Sequence, residues 1–108
     1  MPPPILIIEP HPELAAAFAS VVSSASYTPQ VRPYVQSLTD LGVQPAAIVI
    51  RIGHGTLPVL GPDRPPIVAI ASTEADAAEA KRLGCDVVLN GVVEIHKLLS
   101  ALERLIRI

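Results

Sequence analysis

Two charges stand at the ends of apolar runs, and chemistry would be sought there first. Ile5-Leu-Ile-Ile ends on Glu9, and Ala47-Ile-Val-Ile ends on Arg51. A carboxylate so placed can ligate a cation or move a proton. A guanidinium can grip a phosphate or carboxylate through two parallel hydrogen bonds. His54 follows between Gly53 and Gly55, and Ser72 stands just past another run, Ile67–Ala71. One reading is thus an edge around Glu9, Arg51 and His54, with Ser72 beside them, that binds a small anion or metabolite or acts as an enzyme. The remaining reactive side chains form no recognisable device. His11, His54 and His96 share no metal-ligand spacing, so neither metal nor cofactor is expected. The serines at 20, 23, 24 and 26 build no triad, and Cys85 lacks the surroundings of a nucleophile and reads as a small buried residue. The Gly/Pro-rich stretch 53–66 has neither the dinucleotide glycine pattern nor a Gly-Lys-Ser/Thr ending.

Bulk properties narrow the classes further. A chain of 108 residues suits one domain with a single core, either alone or as the N-terminal domain of a longer protein. Half the residues are apolar but only Phe18, Tyr27 and Tyr34 are aromatic, so the core must be aliphatic. A formal charge of -2 gives no electrostatic reason to bind nucleic acid or an anionic membrane. The lone Cys85 rules out an internal disulfide and fits a reducing compartment. No apolar run approaches the roughly 18 residues of a membrane span, and Met1-Pro-Pro-Pro lacks the basic start of a signal peptide. A cytoplasmic location is expected.

The elements that must position Glu9 and Arg51 follow from periodicity and punctuation. Ile5–Ile8, Ala47–Ile52, Ile67–Ala71 and Val87–Leu89 read as short strands buried on both faces. Tyr27–Arg32 is a weaker strand, and Pro29 marks it as an edge. Leu14, Phe18, Val21 and Val22 form one helical stripe over Glu13–Ser24, with Pro12 in the first turn. Tyr34–Leu41 predicts a short helix stopped by Gly42, whereas Gly53–Pro66 carries too many breakers for a full one. Thr73 caps a helix over Ala75–Leu83 that Gly84 closes, and the last helix spans Val93–Ile106. Its buried side is Ile95, Leu98, Leu99, Leu102 and either Leu105 or Ile106.

Strands alternating with helices give an α/β fold, a three-layer sandwich with a parallel sheet. Right-handed crossovers and this length favour the five-stranded flavodoxin-like order 2-1-3-4-5. In that order the first and third strands are neighbours, which brings Glu9 and Arg51 to the topological switch point. Arg51 then either pairs with Glu9 or leans into solvent from its strand end. As an exposed pair the two would contribute only about 0–1 kcal/mol.

Over nearly its whole length the chain resembles the receiver domain of bacterial two-component response regulators, the CheY-like fold. The resemblance rests on Ile5-Leu-Ile-Ile-Glu-Pro-His-Pro-Glu-Leu14, Gln44–Ile52, Pro66–Ser72 and the turn Leu83-Gly-Cys-Asp86 before the last strand. It implies phosphorylation of an aspartate assisted by magnesium, but the positions that would carry this chemistry are altered. The acidic pair after the first strand falls on Glu9 and Pro10, and the phosphoacceptor falls on Arg51. The switch Ser/Thr falls on Ala71 with Ser72 adjacent, the Lys falls on Gly91 or Asn90, and a loop replaces or shortens the third helix. Magnesium prefers octahedral oxygen ligation with carboxylates, and arginine can neither ligate it nor accept a phosphoryl group.

The resemblance also implies a face for dimers and partners on the last two helices and last strand. Ala75 and Ala78 would permit close approach there, and Val92, Leu105 and Ile108 exceed what one buried stripe needs. The expectation is a degenerate pseudo-receiver, without enzymatic activity, working through a protein partner or as a homodimer in bacterial signalling.

Overall fold

The computed structural model describes residues 3–32, 44–53, 64–91 and 96–106. Pro4–Ile8 forms β1, Pro12–Ser24 forms α1 and Thr28–Arg32 forms β2. Ala47–Arg51 is β3, Ile67–Ala71 is β4, Glu74–Arg82 is α2, Val87–Asn90 is β5 and Leu98–Ile106 is α3. The five strands are all parallel and lie in the order β2-β1-β3-β4-β5. This is the flavodoxin-like arrangement expected from the order of elements.

The three central strands are the most apolar because both their faces are covered. β1, β3 and β4 are buried almost throughout, and alternate residues feed two clusters. Ile5, Ile7, Val49, Val68 and Ile70 meet Phe18 and Val22 of α1 and Leu98 and Leu102 of α3 on one face. Leu6, Ile8, Ile48, Ile50 and Ala69 meet Ala80 of α2 on the other. Among the described residues, Phe18, its side chain fully buried, is the one aromatic residue at the centre of an otherwise aliphatic core.

β2 is the edge that Pro29 predicts. Thr28 N–H bonds to the Pro3 carbonyl, so Thr28, Gln30 and Arg32 turn their backbone groups toward β1. Pro29 and Val31 therefore turn theirs outward, where Pro29 has no N–H to offer. Arg32 folds back so that its Nη1 donates to the Val31 carbonyl at 2.8 Å.

The helix ends follow their local chemistry. Thr73 Oγ1 accepts the Asp76 N–H at 3.1 Å, and Glu74 and Asp76 in the first turn and Lys81 and Arg82 in the last oppose the helix dipole. Gly84 at φ +83° ends α2, its N–H bonding to the Lys81 carbonyl. α3 begins at Leu98, five residues later than the stripe predicts, and residues 96–97 form a tighter turn before it. The helix expected over Tyr34–Leu41, most of the loop 53–66 and Ile95 lie outside the described residues.

Candidate functional site

Ile8 stands opposite Ile50 in the β1–β3 register, so the next residues of both strands emerge side by side at the carboxyl edge. Glu9 is anchored first through its backbone, its N–H bonding to the Arg32 carbonyl of β2 at 3.1 Å. Its side chain meets Arg51. Nε donates to Oε1 at 2.8 Å and to Oε2 at 3.2 Å. Nη2 also lies 2.8 Å from Oε1, but off the line of its N–H bonds, so it makes an ion contact and no hydrogen bond. Nη1 donates to Ser72 Oγ at 2.5 Å. One guanidinium thus ties together the ends of three neighbouring strands, β1, β3 and β4.

This pair is deeper than the surface bridge considered from sequence. The Glu9 side chain is 1% exposed and the Arg51 side chain 7%. At that depth the ordinary worth of an exposed pair no longer applies. Each ion has given up several kcal/mol of hydration and depends on the other to recover it.

The other positions marked by the receiver resemblance surround this link. Pro10 is exposed, Ala71 is buried, and Gly91 follows β5 with φ +56°. Ser72, next to the position assigned to the switch hydroxyl, is the side chain that Arg51 reaches. His54 lies outside the described residues. Beyond Arg51, Gly53 adopts φ +95°, and a Cβ there would sit 2.8 Å from the Asp76 carboxylate of α2. The Asp76 side chain could shift away, but the positive φ favours glycine at this exit from β3. Among the described residues, no three His, Cys, Asp or Glu side chains are arranged to hold a metal ion. A cavity of about 350 Å³ opens beside the pair, walled by Glu9, Pro10, His11, Leu14 and Arg51.

The proposed interface residues divide. Ala75 and Ala78 are exposed on α2, and neither lines the groove of about 230 Å³ that Thr73, Ala77, Lys81 and Asn90 help to form between α2 and β5. Leu105 is partly buried against the core cluster to which α1 and α3 contribute, so it is shared between the packed side of α3 and its surface. Val92 and Ile108 lie outside the described residues.

One feature at the opposite edge has no counterpart in the sequence reading. Asp86 accepts the Ile67 N–H at 2.8 Å and the Arg64 Nη1 at 2.9 Å, while Arg64 Nη2 donates to the Gly84 carbonyl at 2.8 Å. This clasp sets the start of β4 against the turn before β5. Burial alone would push the Asp86 carboxyl up, but the Ile67 N–H and the Arg64 guanidinium outweigh it and hold it below the usual carboxylate value. Its charge therefore stabilises the fold above about pH 4, and that contribution fades as pH falls through the lowered folded-state value. Asp86→Asn keeps an acceptor for Ile67 and isolates the charge. Urea melts of the two proteins should differ by about 1 kcal/mol or less near neutrality, because both partners are part-exposed, and converge in acid. A gap that persists at low pH would remove this account. Beside it, Cys85 is half-buried, and burial pushes its thiol up, away from the reactive thiolate.

No protein-family model matches the chain, and no curated protein matches it in sequence. Solved structures do match, at the level of fold. The response regulator signal receiver domain from Bermanella marisrubri superposes with a TM-score of 0.78 at 17% identity, covering 99% of this chain and 100% of that one. The receiver domain of sensor histidine kinase PA1611 from Pseudomonas aeruginosa, which holds magnesium in its active site cleft, gives 0.75 at 19% identity, covering 98% of each chain. CheY6 from R. sphaeroides, in the crystal structure with the P1 domain of CheA3, gives 0.74 at 20% identity over 99% and 98% of the two chains. The fold is that of CheY-like receiver domains.

Proposed function

We propose that this domain is a pseudo-receiver, a signalling module that works through protein contacts without being phosphorylated. The observation that carries the reading is the buried Glu9–Arg51 pair at the carboxyl edge, extended to Ser72. In a sheet of this kind ligands and reacting groups sit at that edge. Here a permanent cation stands at the end of β3, and its partners are the carboxylate and hydroxyl that would otherwise serve a metal or a phosphoryl group. The receiver-like fold supports a place in two-component signalling, and the magnesium-bound histidine kinase receiver supplies the contrast. CheY6 with the P1 domain of CheA3 illustrates how a domain of this shape engages another protein. For this chain the contact surface we propose is the exposed side of α2 with Ala75 and Ala78, next to β5. The module would act in the cytoplasm of a bacterium, as a homodimer or against a protein partner, and would catalyse nothing. No described helix is long and apolar enough to cross a membrane.

The test is direct. Incubation with a small phosphodonor and magnesium, followed by intact mass measurement, should leave the mass unchanged, while a receiver with an aspartate acceptor treated alongside gains a phosphoryl group. A stoichiometric phosphoryl adduct on this chain would end the proposal.

A further inference from the structure

The sheet has two outer strands, and of these only β2 contains a proline. Which backbone groups of β5 face outward follows from the bonds on the far side of β4. Ile48 in β3 and Ile52 just past it donate to the Pro66 and Ile70 carbonyls, so the backbone groups of Ile67, Ala69 and Ala71 turn toward β5. The chain bends at Asp86, whose N–H reaches the Ile67 carbonyl, and the regular register starts with Val87 beside Val68. Val87 and Leu89 therefore bond to β4, and the N–H and C=O of Val88 point away from the sheet. Among the described residues no strand lies beyond β5. Alongside runs the groove of about 230 Å³ between α2 and β5, with Ala71, Ala77, Val88 and Leu89 as its apolar lining. Lys81 also lines it and, among the described residues, pairs with no carboxylate. The open backbone and the unpaired cation are separate features of one place.

We infer that β5 accepts an extended peptide segment of a partner protein as a sixth strand, with an acidic residue of that segment at Lys81. The inference rests on the reading of the domain as a protein-contact module and names the chemistry of the partner. Main-chain groups at a sheet edge select an extended chain, since that conformation returns N–H and C=O groups at the matching spacing. Antiparallel addition, the more stable per residue, sets the end of the segment at the start of β5. Lys81 is there, because α2 leads through Gly84 into that end and the Cys85 N–H bonds back to the Ala80 carbonyl. Glu74 lines the groove too, but about 10 Å away along α2, so an acid at Lys81 does not meet it. A second copy fits the same edge less well. The one acid its β5 would bring, Asp86, is already held by Arg64.

The test is an amide NMR titration of the whole domain with acetyl-Thr-Val-Thr-Val-Asp-amide. The Val88 amide should shift saturably, with a dissociation constant in the millimolar range or below, and its hydrogen exchange should slow. Replacing the Asp of the peptide by Lys should weaken binding about fivefold. In Lys81→Glu, which alters an exposed side chain, that preference should reverse. Methylating the peptide nitrogens one at a time should abolish binding at alternate positions only, because successive N–H groups of a strand point to opposite sides. Absence of a saturable Val88 shift overturns the site. Equal tolerance of every methylated position overturns strand addition, and indifference to the Asp-to-Lys exchange overturns the acidic class. A dimer in sedimentation that the peptide splits overturns the choice of occupant in favour of a second copy. A failed titration beside an unchanged mass under phosphodonor leaves the pseudo-receiver reading standing, whereas a phosphoryl adduct ends that reading whatever the peptide does.

Discussion

Arg51→Ala will destabilise the domain by about 3–5 kcal/mol, because it strands a carboxylate that is 1% exposed without its cation. Against a total stability of roughly 5–15 kcal/mol, that is a large fraction. At this size each kcal/mol corresponds to roughly 4–8 °C in Tm, so the melting point should fall by about 12 °C or more. The two ions act as a unit, so the loss should not be additive. Glu9→Leu combined with Arg51→Met removes both charges, and a large part of the stability should return. Urea melts of the two single variants and the double variant form the cycle that measures this. A loss below about 1 kcal/mol for Arg51→Ala would show that the pair behaves as an exposed one.

Pro10→Asp combined with Arg51→Asp will make stability depend on magnesium. The double substitution leaves three carboxylates, at positions 9, 10 and 51, at the ends of two strands paired side by side. Without a cation they repel one another, and the unmet charge at position 9 stays buried. A divalent ion with oxygen ligation relieves both costs. Binding to the folded state alone stabilises by about 2.7 kcal/mol at a hundredfold excess over Kd, so Tm should rise steeply across millimolar magnesium. The parent chain should show no such rise, since Arg51 already neutralises Glu9 there. If the double variant melts at the same temperature with chelator and with magnesium, this account of the edge is wrong.

How far these features could be read in advance depended on the range of the interaction behind each. The strand runs were legible because a parallel strand covered on both faces must be apolar throughout, and Ala47–Ile50 and Ile67–Ala71 are. Pro29 marked β2 as an edge for an equally local reason. That Glu9 and Arg51 would share an edge followed from strand order, but their depth did not, since it is set by what packs around them. Ser72 was named at that edge, beside the switch position Ala71, but not as the second acceptor for Arg51. Its side chain leaves β4 toward Arg51, while Ala71 turns into the core. The choice between Leu105 and Ile106 at the end of the α3 stripe stayed open because counting apolar positions on a helix does not say how wide its packed side is. In α3 that side takes in Leu98, Ala101 and Leu102, with Leu105 and Ile106 against its margin. The Asp86 clasp joins residues 64, 67 and 86, which only the pairing of β4 with β5 brings together.

The outer rim of β2 bears on how copies of this chain can meet. A free strand edge is a template on which a second chain can continue the sheet, and repeated addition leads to fibres. Here one of the outward rungs has no donor, since Pro29 contributes none, and the next carbonyl, that of Val31, is already occupied by Arg32. A newcomer laid along this border would find its ladder interrupted at consecutive outward residues. Self-assembly through this border is discouraged by the chain's own covalent structure, and association is left to surfaces whose geometry closes on itself. On the proposed reading, in which the domain works by meeting other proteins, that separates selective contact from indiscriminate stacking.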